Sequence, residues 1–474
     1  MIATLTPFVH ATSPQRRPAH ALLARFASIA ALALTAFLGL AAPAQATPQI
    51  QHWTAPTGAR VYFVESRALP LVDIRVDFAA GAAYDPPAKA GLAGLVQALL
   101  DAGAGGLDEQ TIAEREADLG ARLGGGTDDD RASLSLRSLS TTAERDAAVE
   151  LAATLLAQPA FPAEILERER QRTIAALREA LTQPATLAAR QFSAAVYAGH
   201  PYGRQVTPES LSAITRTDLV DFHRRHYAAA RASVAIVGDV DRTTAEHIAV
   251  RLTEALPQAG ATTTLPPPAP IDAATFRIPH PSAQAHILLG QPGMAREDAD
   301  YFALLVGNYV LGGGGFVSRL TKEVREKRGF AYSVYSYLSP QQVAGPFQIG
   351  LQTRGSQAEE ALAVVRDTLA RFIADGPTAE ELQAAKDNLV NGFGLRLDSN
   401  AKLLEHVAMI GFYRLALDWL DTYPRQVAGV DAAAVREAWQ RRIRAQQLVT
   451  VIAGGDGDRA PDGEPAAAAQ GAEQ

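Results

Sequence analysis

The residues best suited to chemistry lie between Leu311 and Tyr337, in the sequence LGGGGFVSRLTKEVREKRGFAYSVYSY. Here six residues separate Arg325 from Tyr332, which places a fixed cation at a predicted helix end and a phenol at a strand start. Both side chains donate hydrogen bonds to carbonyl or carboxylate oxygens, and such donors stabilise a developing oxyanion. The alternative, a basic helix followed by a buried strand without chemistry, stays open at this point.

The flanking residues predict how this pair is positioned. Gly312 to Gly315 form a run of glycines, which permits close approach of backbone to backbone or to a ligand. No Lys-Ser/Thr pair follows at the spacing of a phosphate-binding loop, so that interpretation is weak. The strand that follows carries Phe330, Tyr332, Tyr335 and Tyr337, too many aromatic residues for an ordinary surface loop.

Composition narrows the classes of function. The chain has 474 residues, a formal net charge of -7 and a hydrophobic content of 47%, which suits a globular protein with large cores and argues against a nucleic-acid partner. It has no cysteine, which excludes thiol nucleophiles and cysteine metal sites. It also lacks a G-x-S-x-G elbow, so serine hydrolase chemistry has no support.

Residues 1–46 resemble an export signal. Arg16, Arg17 and Arg25 provide a positive flank, residues 26–42 form an apolar core, and residues 44–46 read Ala-Gln-Ala, a cleavage pattern. We therefore expect a periplasmic or secreted protein. Retention of this segment as an anchor stays open, and we expect no stable membrane span after cleavage.

The chain repeats itself at an offset of about 216 positions. PAEILERERQR at Pro162 matches TAEELQAAKDN at Thr378, and the strand at 232–240 matches that at 447–456. The pattern predicts two homologous domains at 47–259 and 273–455, a proline-rich linker at 260–272 and a disordered tail at 456–474. The predicted fold class is α+β, with each domain a mostly antiparallel sheet packed with helices, in a clamshell arrangement.

The repeat, the LGGGG…SRL…REKRGFAYSVYS block and the HPYGRQVTPESLSAI segment together resemble the pitrilysin/insulinase-like zinc peptidases. The resemblance covers nearly all of residues 48–455. It implies that Arg325 and Tyr332 contact the substrate around the scissile bond. It also implies that they assist a zinc centre carried by the other domain.

The zinc-binding motif of that family is missing. The resemblance implies an H-x-x-E-H motif on the first long helix, where this chain has Gly94, Gln97 and Ala98. Glu169 matches the third ligand of the family, while its second acidic position falls on Ala176. Because a catalytic zinc site needs three protein ligands, we expect no metal in this chain.

Two further features remain to be tested. His223 and His226 are spaced like half a metal site, but Arg224 and Arg225 flank them, so we predict a solvated helix face instead. The resemblance implies that the segment Gly124, Gly125, Gly126 and Thr127 corresponds to the strand with which active relatives pair the substrate. This segment either binds a peptide by strand addition or forms a flexible lead-in to a hairpin.

These features predict a zinc-less subunit that supplies Arg325 and Tyr332 to a zinc-bearing homologous peptidase subunit, with zinc only in that partner. Peptides are the expected substrates. Such a chain would be inactive alone. The alternative is a non-catalytic scaffold or peptide-binding protein of the same fold.

Overall fold

A computed structural model of the chain describes residues 48–257 and 263–455. The predicted signal peptide, the predicted tail and part of the linker lie outside the described residues. No helix within the described residues is long and apolar enough to cross a membrane.

The first half of the chain builds a six-stranded sheet with the order β1-β2-β8-β3-β7-β6, beside a small two-stranded β4-β5 ribbon. Its strands are β1 (Gln51–Thr54), β2 (Arg60–Glu65), β3 (Leu71–Phe78), β4 (Gly103–Ala104), β5 (Leu107–Asp108), β6 (Arg122–Thr127), β7 (Ala132–Leu139) and β8 (Ser233–Gly238). Its helices are α1 (Leu92–Ala98), α2 (Glu109–Asp118), α3 (Thr142–Ala157), α4 (Ala163–Ala180), α5 (Pro184–Val196), α6 (Pro208–Ser212), α7 (Arg216–His226) and α8 (Arg242–Thr253).

The second half builds a five-stranded sheet with the order β11-β12-β10-β13-β9. Its strands are β9 (Ala274–Ile278), β10 (Gln284–Met294), β11 (Ala331–Leu338), β12 (Gly345–Arg354) and β13 (Val449–Gly454). Its helices are α9 (Tyr301–Asn308), α10 (Ala358–Asp375), α11 (Ala379–Asn391), α12 (Asn400–Tyr413), α13 (Trp419–Gly429) and α14 (Ala432–Arg442), with π-helical segments at Tyr309–Gly313 and Thr321–Glu326.

The two sheets have the same topology, as the repeat predicts. Strands β2, β8, β3, β7 and β6 correspond in order to β9, β13, β10, β12 and β11. In each sheet one pair is parallel, β2 with β8 and β9 with β13, and the remaining pairs are antiparallel. The predicted α+β fold with two homologous domains is therefore confirmed.

Each half contributes one helix to the core of the other half. Helix α5 of the first half packs on β10 and β13, and α12 of the second half packs on β8 and β3. The contacts are close, since a Cβ added at Gly411 would lie 2.6 Å from the Tyr62 ring, and one added at Gly290 would lie 2.7 Å from Phe192. This covers both faces of the central strands, so every residue of β8 is buried.

A buried carboxylate ties the two halves together. Asp130, only 1% exposed, accepts hydrogen bonds from the Tyr202 hydroxyl and, across the junction, from the Tyr413 hydroxyl at 2.9 Å and the backbone N–H of Gln342 at 2.8 Å. Burial raises the pKa of Asp130, while these hydrogen bonds act in the opposite direction. A buried acceptor satisfied by three donors fixes how the halves meet.

Candidate functional site

Arg325 and Tyr332 are brought together on the surface of the second half. Arg325 lies in the π-helical segment Thr321–Glu326, and Tyr332 is the second residue of β11. The guanidinium carbon of Arg325 lies 4.9 Å from the centroid of the Tyr332 ring and 4.8 Å from that of Phe316. The cation is thus held against two aromatic rings, and both rings face solvent, Tyr332 at 85% exposure and Phe316 at 68%.

The donors of this pair are available to a ligand. Within the described residues, neither the Arg325 guanidinium nor the Tyr332 hydroxyl forms a hydrogen bond or an ion pair. The neighbouring cations, in contrast, are paired: Lys327 and Arg328 both bind the Glu323 carboxylate, at 2.6 Å and 2.9 Å. The hydrogen bond from Lys327 and that from Arg328 lower the pKa of Glu323. Glu323 therefore engages its two neighbours and leaves Arg325 unpaired.

The glycine run allows the preceding helix to lie against β11. A Cβ at Gly312 would lie 2.5 Å from both the backbone nitrogen and the hydroxyl of Ser336. Beside this contact, Asn308 accepts a hydrogen bond from the Ser336 hydroxyl at 2.8 Å and donates one to the Ser336 carbonyl at 3.2 Å. The helix follows π geometry at Tyr309–Gly313, a feature that often accompanies functional sites and that the sequence pattern did not predict.

The positions of the missing zinc motif lie in a separate cavity of about 350 Å³ in the first half. Gly94, Gln97 and Ala98 of α1 line it together with Gly124–Thr127 of β6. Gln97 accepts a hydrogen bond from the Tyr227 hydroxyl at 3.3 Å, and its amide nitrogen would lie 2.4 Å from a Cβ at Gly125. Among the described residues, no three His, Cys, Asp or Glu side chains are grouped to hold a metal ion.

Glu169, the carboxylate that was matched to the third zinc ligand of the family, forms ion pairs with arginines. It lies on α4, where it pairs with Arg168 at 3.0 Å and with Arg172 at 3.6 Å. Its charge is therefore balanced by neighbouring side chains of the same helix, and it does not line the cavity formed by Gly94 and Gln97.

The glycines Gly124, Gly125 and Gly126 lie inside a strand, which forms a hairpin with the following strand. Strand β6 pairs in register with β7, from Arg122 opposite Arg137 to Thr127 opposite Ala132, and it is the last strand of its sheet. Apart from the Leu123 N–H, which donates to the Glu116 carboxylate at 2.8 Å, the outer edge of β6 presents backbone donors and acceptors with few side chains, which suits pairing with an extended peptide.

The prediction of a solvated face for His223 and His226 is wrong. Both are buried, at 6% and 3% exposure, and each bonds a backbone carbonyl, His223 that of Leu156 at 2.8 Å and His226 that of Ala79 at 3.1 Å. Burial lowers the pKa of His226 to about 4 and also lowers that of His223. The flanking arginines point outward, so the helix is amphipathic and the histidines belong to its inner face.

Sequence reasoning missed the aspartates that anchor the two equivalent helices. Asp85 accepts the backbone N–H groups of Gly91 at 2.7 Å and Ala93 at 2.8 Å, at the start of α1. Burial raises the pKa of Asp85 to about 6 despite these bonds. In the second half, Asp300 precedes α9 and binds Arg441 and Arg442 at 2.7 and 2.8 Å. An acidic residue shortly before an apolar helix was the available signal.

Two sequence models of one family match the chain in succession. The model of the insulinase family, peptidase family M16, matches residues 60–209, and that of the peptidase M16 inactive domain matches residues 213–389. Together they cover most of the described residues, including both the cavity at Gly94 and the Arg325/Tyr332 pair.

Individual relatives agree with these models. A peptidase M16 inactive domain from Pseudomonas fluorescens, known from its crystal structure, is 39% identical, with a TM-score of 0.83 over 85% of this chain and 98% of that one. An uncharacterised zinc protease of Streptomyces coelicolor is 34% identical over 46% of this chain and 49% of its own length. The match thus spans about half of that relative. A protein of Helicobacter pylori described as a non-peptidase homologue is 27% identical over 89% of this chain and 96% of its own length.

Proposed function

The chain belongs to the M16 peptidase family and lacks that family's zinc-binding motif, and from this premise we propose that it is the zinc-less subunit of a two-chain peptidase. One observation carries the proposal. Arg325 and Tyr332 are adjacent and accessible, and they form no hydrogen bond or ion pair with the described residues, whereas the positions of the zinc motif hold Gly94, Gln97 and Ala98. A chain that had drifted into a purely structural role would have no need of a cation held unpaired between two exposed rings.

Each residue of the pair has a distinct role in this proposal. Arg325 binds a carbonyl oxygen of the peptide next to the scissile bond, and the phenol of Tyr332 donates to the oxyanion that forms during attack. A positioned donor of this kind contributes about 3–4 kcal/mol to the stabilisation of the transition state. A zinc-bearing homologous partner supplies the metal that activates water.

The peptide itself is held by backbone pairing. Both β6 and β11 are the terminal strands of their sheets, and a peptide that extends either sheet gains hydrogen bonds that do not depend on its sequence. Unfolded peptides are therefore the proposed substrates. The signal-like residues 1–46 support a periplasmic location for this activity.

Hydrolysis of a quenched fluorescent peptide tests the proposal. We expect no activity from this chain alone, and activity in a mixture with a zinc-bearing homologue that exceeds that of the homologue alone and disappears with a chelator. Arg325→Ala and Tyr332→Phe should each reduce the mixture's kcat/KM by about 100-fold or more. Arg371→Ala is the matched control, since Arg371 is an exposed arginine on α10 that pairs with Asp367. Unchanged turnover with Arg325→Ala would overturn the role of the pair.

A second candidate function is peptide binding or scaffolding without catalysis. The Helicobacter relative described as a non-peptidase homologue favours it. Under this alternative, the mixture would be no more active than the zinc-bearing chain, while a labelled peptide would still bind this chain in fluorescence anisotropy. Thr127→Pro would then weaken peptide binding, because proline removes a backbone donor from the side of β6 that faces away from β7.

A further inference from the structure

A crevice of about 430 Å³ lies at the junction of the two halves, and the side chains that line it carry an excess of positive charge. Four arginines and a single acidic residue line it: Arg60, Arg231, Arg296, Arg414 and Glu297. The first two come from the first half and the other three from the second half, while Thr263 of the linker closes one side. Glu297 is exposed and forms no ion pair within the described residues.

Arg60 is a cation of this crevice whose donors are left unsatisfied. Two of its nitrogens, Nε and Nη1, are buried and have no hydrogen-bond partner, and its guanidinium forms no ion pair with any described residue. Burial, and then the nearby charge of Arg414, lower the pKa of Arg60. A buried cation next to a second cation is unfavourable unless an anion lies close by.

Arg296 and Arg414 face the same space with donors to spare. Arg296 donates to the Pro340 carbonyl at 3.0 Å and stacks 5.2 Å from the centroid of the Tyr413 ring, yet its Nε is buried without a partner. Arg414 ends α12 in a left-handed conformation, with φ of 56°, which turns the chain beside the crevice. The buried carboxylate of Asp130, which contacts the crevice-lining residues Tyr413 and Gln342, is already engaged by them and by Tyr202.

We propose that this arginine crevice binds a small oxyanion, a phosphate or carboxylate group that Arg60, Arg296 and Arg414 hold between the two halves. The planar guanidinium offers paired N–H donors that match the oxygens of such groups. The volume accommodates a small molecule that carries the anionic group. Because the ligand contacts both halves, its binding stabilises their junction. The inference is independent of the proposed peptidase role, since neither Arg325 nor the cavity at Gly94 takes part.

Thermal unfolding of the full chain provides the test. We expect sodium phosphate or sodium citrate to raise Tm above its value in sodium chloride of equal ionic strength. A response to phosphate alone identifies a phosphate site, and one to citrate alone a carboxylate site. Equal Tm values in all three salts would overturn the proposal.

Variants separate specific binding from general salt effects. By calorimetric titration with inorganic phosphate or citrate, whichever raises Tm, Arg60→Gln and Arg296→Gln should each weaken Kd about tenfold or more, because each removes a charge-assisted hydrogen bond. The control Arg371→Gln, on an exposed arginine of α10, should bind like the wild type. Unaltered affinity in both crevice variants would overturn the proposal.

Without the anion, the same substitutions should stabilise the protein. In chloride buffer, Arg60→Gln should raise Tm, because it removes a half-buried cation whose Nε and Nη1 have no hydrogen-bond partner and that Arg414 repels. A residue with a merely structural role would lower Tm in every buffer. Should Arg60→Gln fail to fold, Arg414→Gln at the exposed end of α12 tests the same repulsion and the same loss of affinity.

Discussion

The edge strands β6 and β11 occupy equivalent places in the two sheets, yet they are built in opposite ways. In the first half, the close contact between helix and strand is formed by a side chain of the helix and a glycine of the strand, since Gln97 of α1 lies against Gly125 of β6. In the second half the helix carries the glycine and the strand carries the side chain, since Gly312 lies against Ser336 of β11. Both arrangements bring helix and strand equally close, but only the second leaves room for side chains on the strand.

This difference determines what each edge offers to a ligand. Strand β6 presents mainly backbone along its three glycines, and all but one of its residues are exposed. Strand β11 presents Tyr332 together with Arg325, and its pairing with β12 is irregular between Ala331 and Val334. An irregularity of that kind re-aims side chains next to a site. The first half therefore presents an open strand edge with few side chains, and the second presents an edge that carries an aromatic ring beside a cation.

The largest expected effect comes from filling the contact between α1 and β6. In Gly125→Ala, the new Cβ would lie 2.1 Å from the backbone oxygen of Ser133 and 2.4 Å from the Gln97 amide. Because a backbone atom cannot move aside as a side chain can, we expect a loss of about 3 kcal/mol in the free energy of unfolding. Urea denaturation followed by circular dichroism would measure it.

Gly126→Ala is the matched control in the same strand. No atom lies within 4 Å of a Cβ at this position, so the free energy of unfolding should change by less than about 0.5 kcal/mol. Equal losses in both variants would show that the strand tolerates no side chain for reasons of backbone conformation, and the contact with α1 would lose its importance.

The aspartates that anchor α1 and α9 should respond to pH in opposite directions. The pKa of Asp85 is raised to about 6, so the folded state binds its proton more tightly and the protein loses stability as pH rises from about 4 to 6. For Asp300, burial alone would raise the pKa, but Arg441 and Arg442 outweigh it and the pKa is lowered. Its contribution is present above the ordinary pKa and is lost as pH falls.

Urea titrations across this range compare wild type with Asp85→Asn and with Asp300→Asn. Between pH 4 and 6, the difference between wild type and Asp85→Asn should change by about 2 kcal/mol in favour of the variant. The difference for Asp300→Asn should move the other way and by less, since Asp300 is partly exposed. If the two differences in the free energy of unfolding depended on pH in the same way, Asp85 and Asp300 would be equivalent.

The smallest expected effect concerns the former zinc-ligand position on α1. In Gly94→Ala, the added methyl meets no atom within 4 Å. Because alanine favours a helix over glycine, the variant should gain about 0.5–1 kcal/mol in the free energy of unfolding. A loss of stability in the same urea experiment would mean that the cavity at Gly94 is filled in the folded protein.

Particular residues show how far the sequence was informative. The sequence pattern predicts strands at 232–240 and 447–456, and the structure has strands at Ser233–Gly238 and Val449–Gly454. A short run of apolar residues is a local property, so it can be read directly. His223 and His226 were misjudged because their neighbours Arg224 and Arg225 are charged, while their burial depends on Leu156 and Ala79, which are distant in sequence.

The sequence by itself determined the duplicated α+β architecture, the loss of the zinc motif and the survival of Arg325 and Tyr332, because each follows from residue types and spacing within one segment. Only the tertiary structure decided that α5 and α12 are exchanged between the halves, that Arg325 lies between two exposed rings, and that arginines from both halves share one crevice. The physical reason is that these contacts join residues far apart in the chain. Their energies come from packing and unbalanced charge, which no local pattern records.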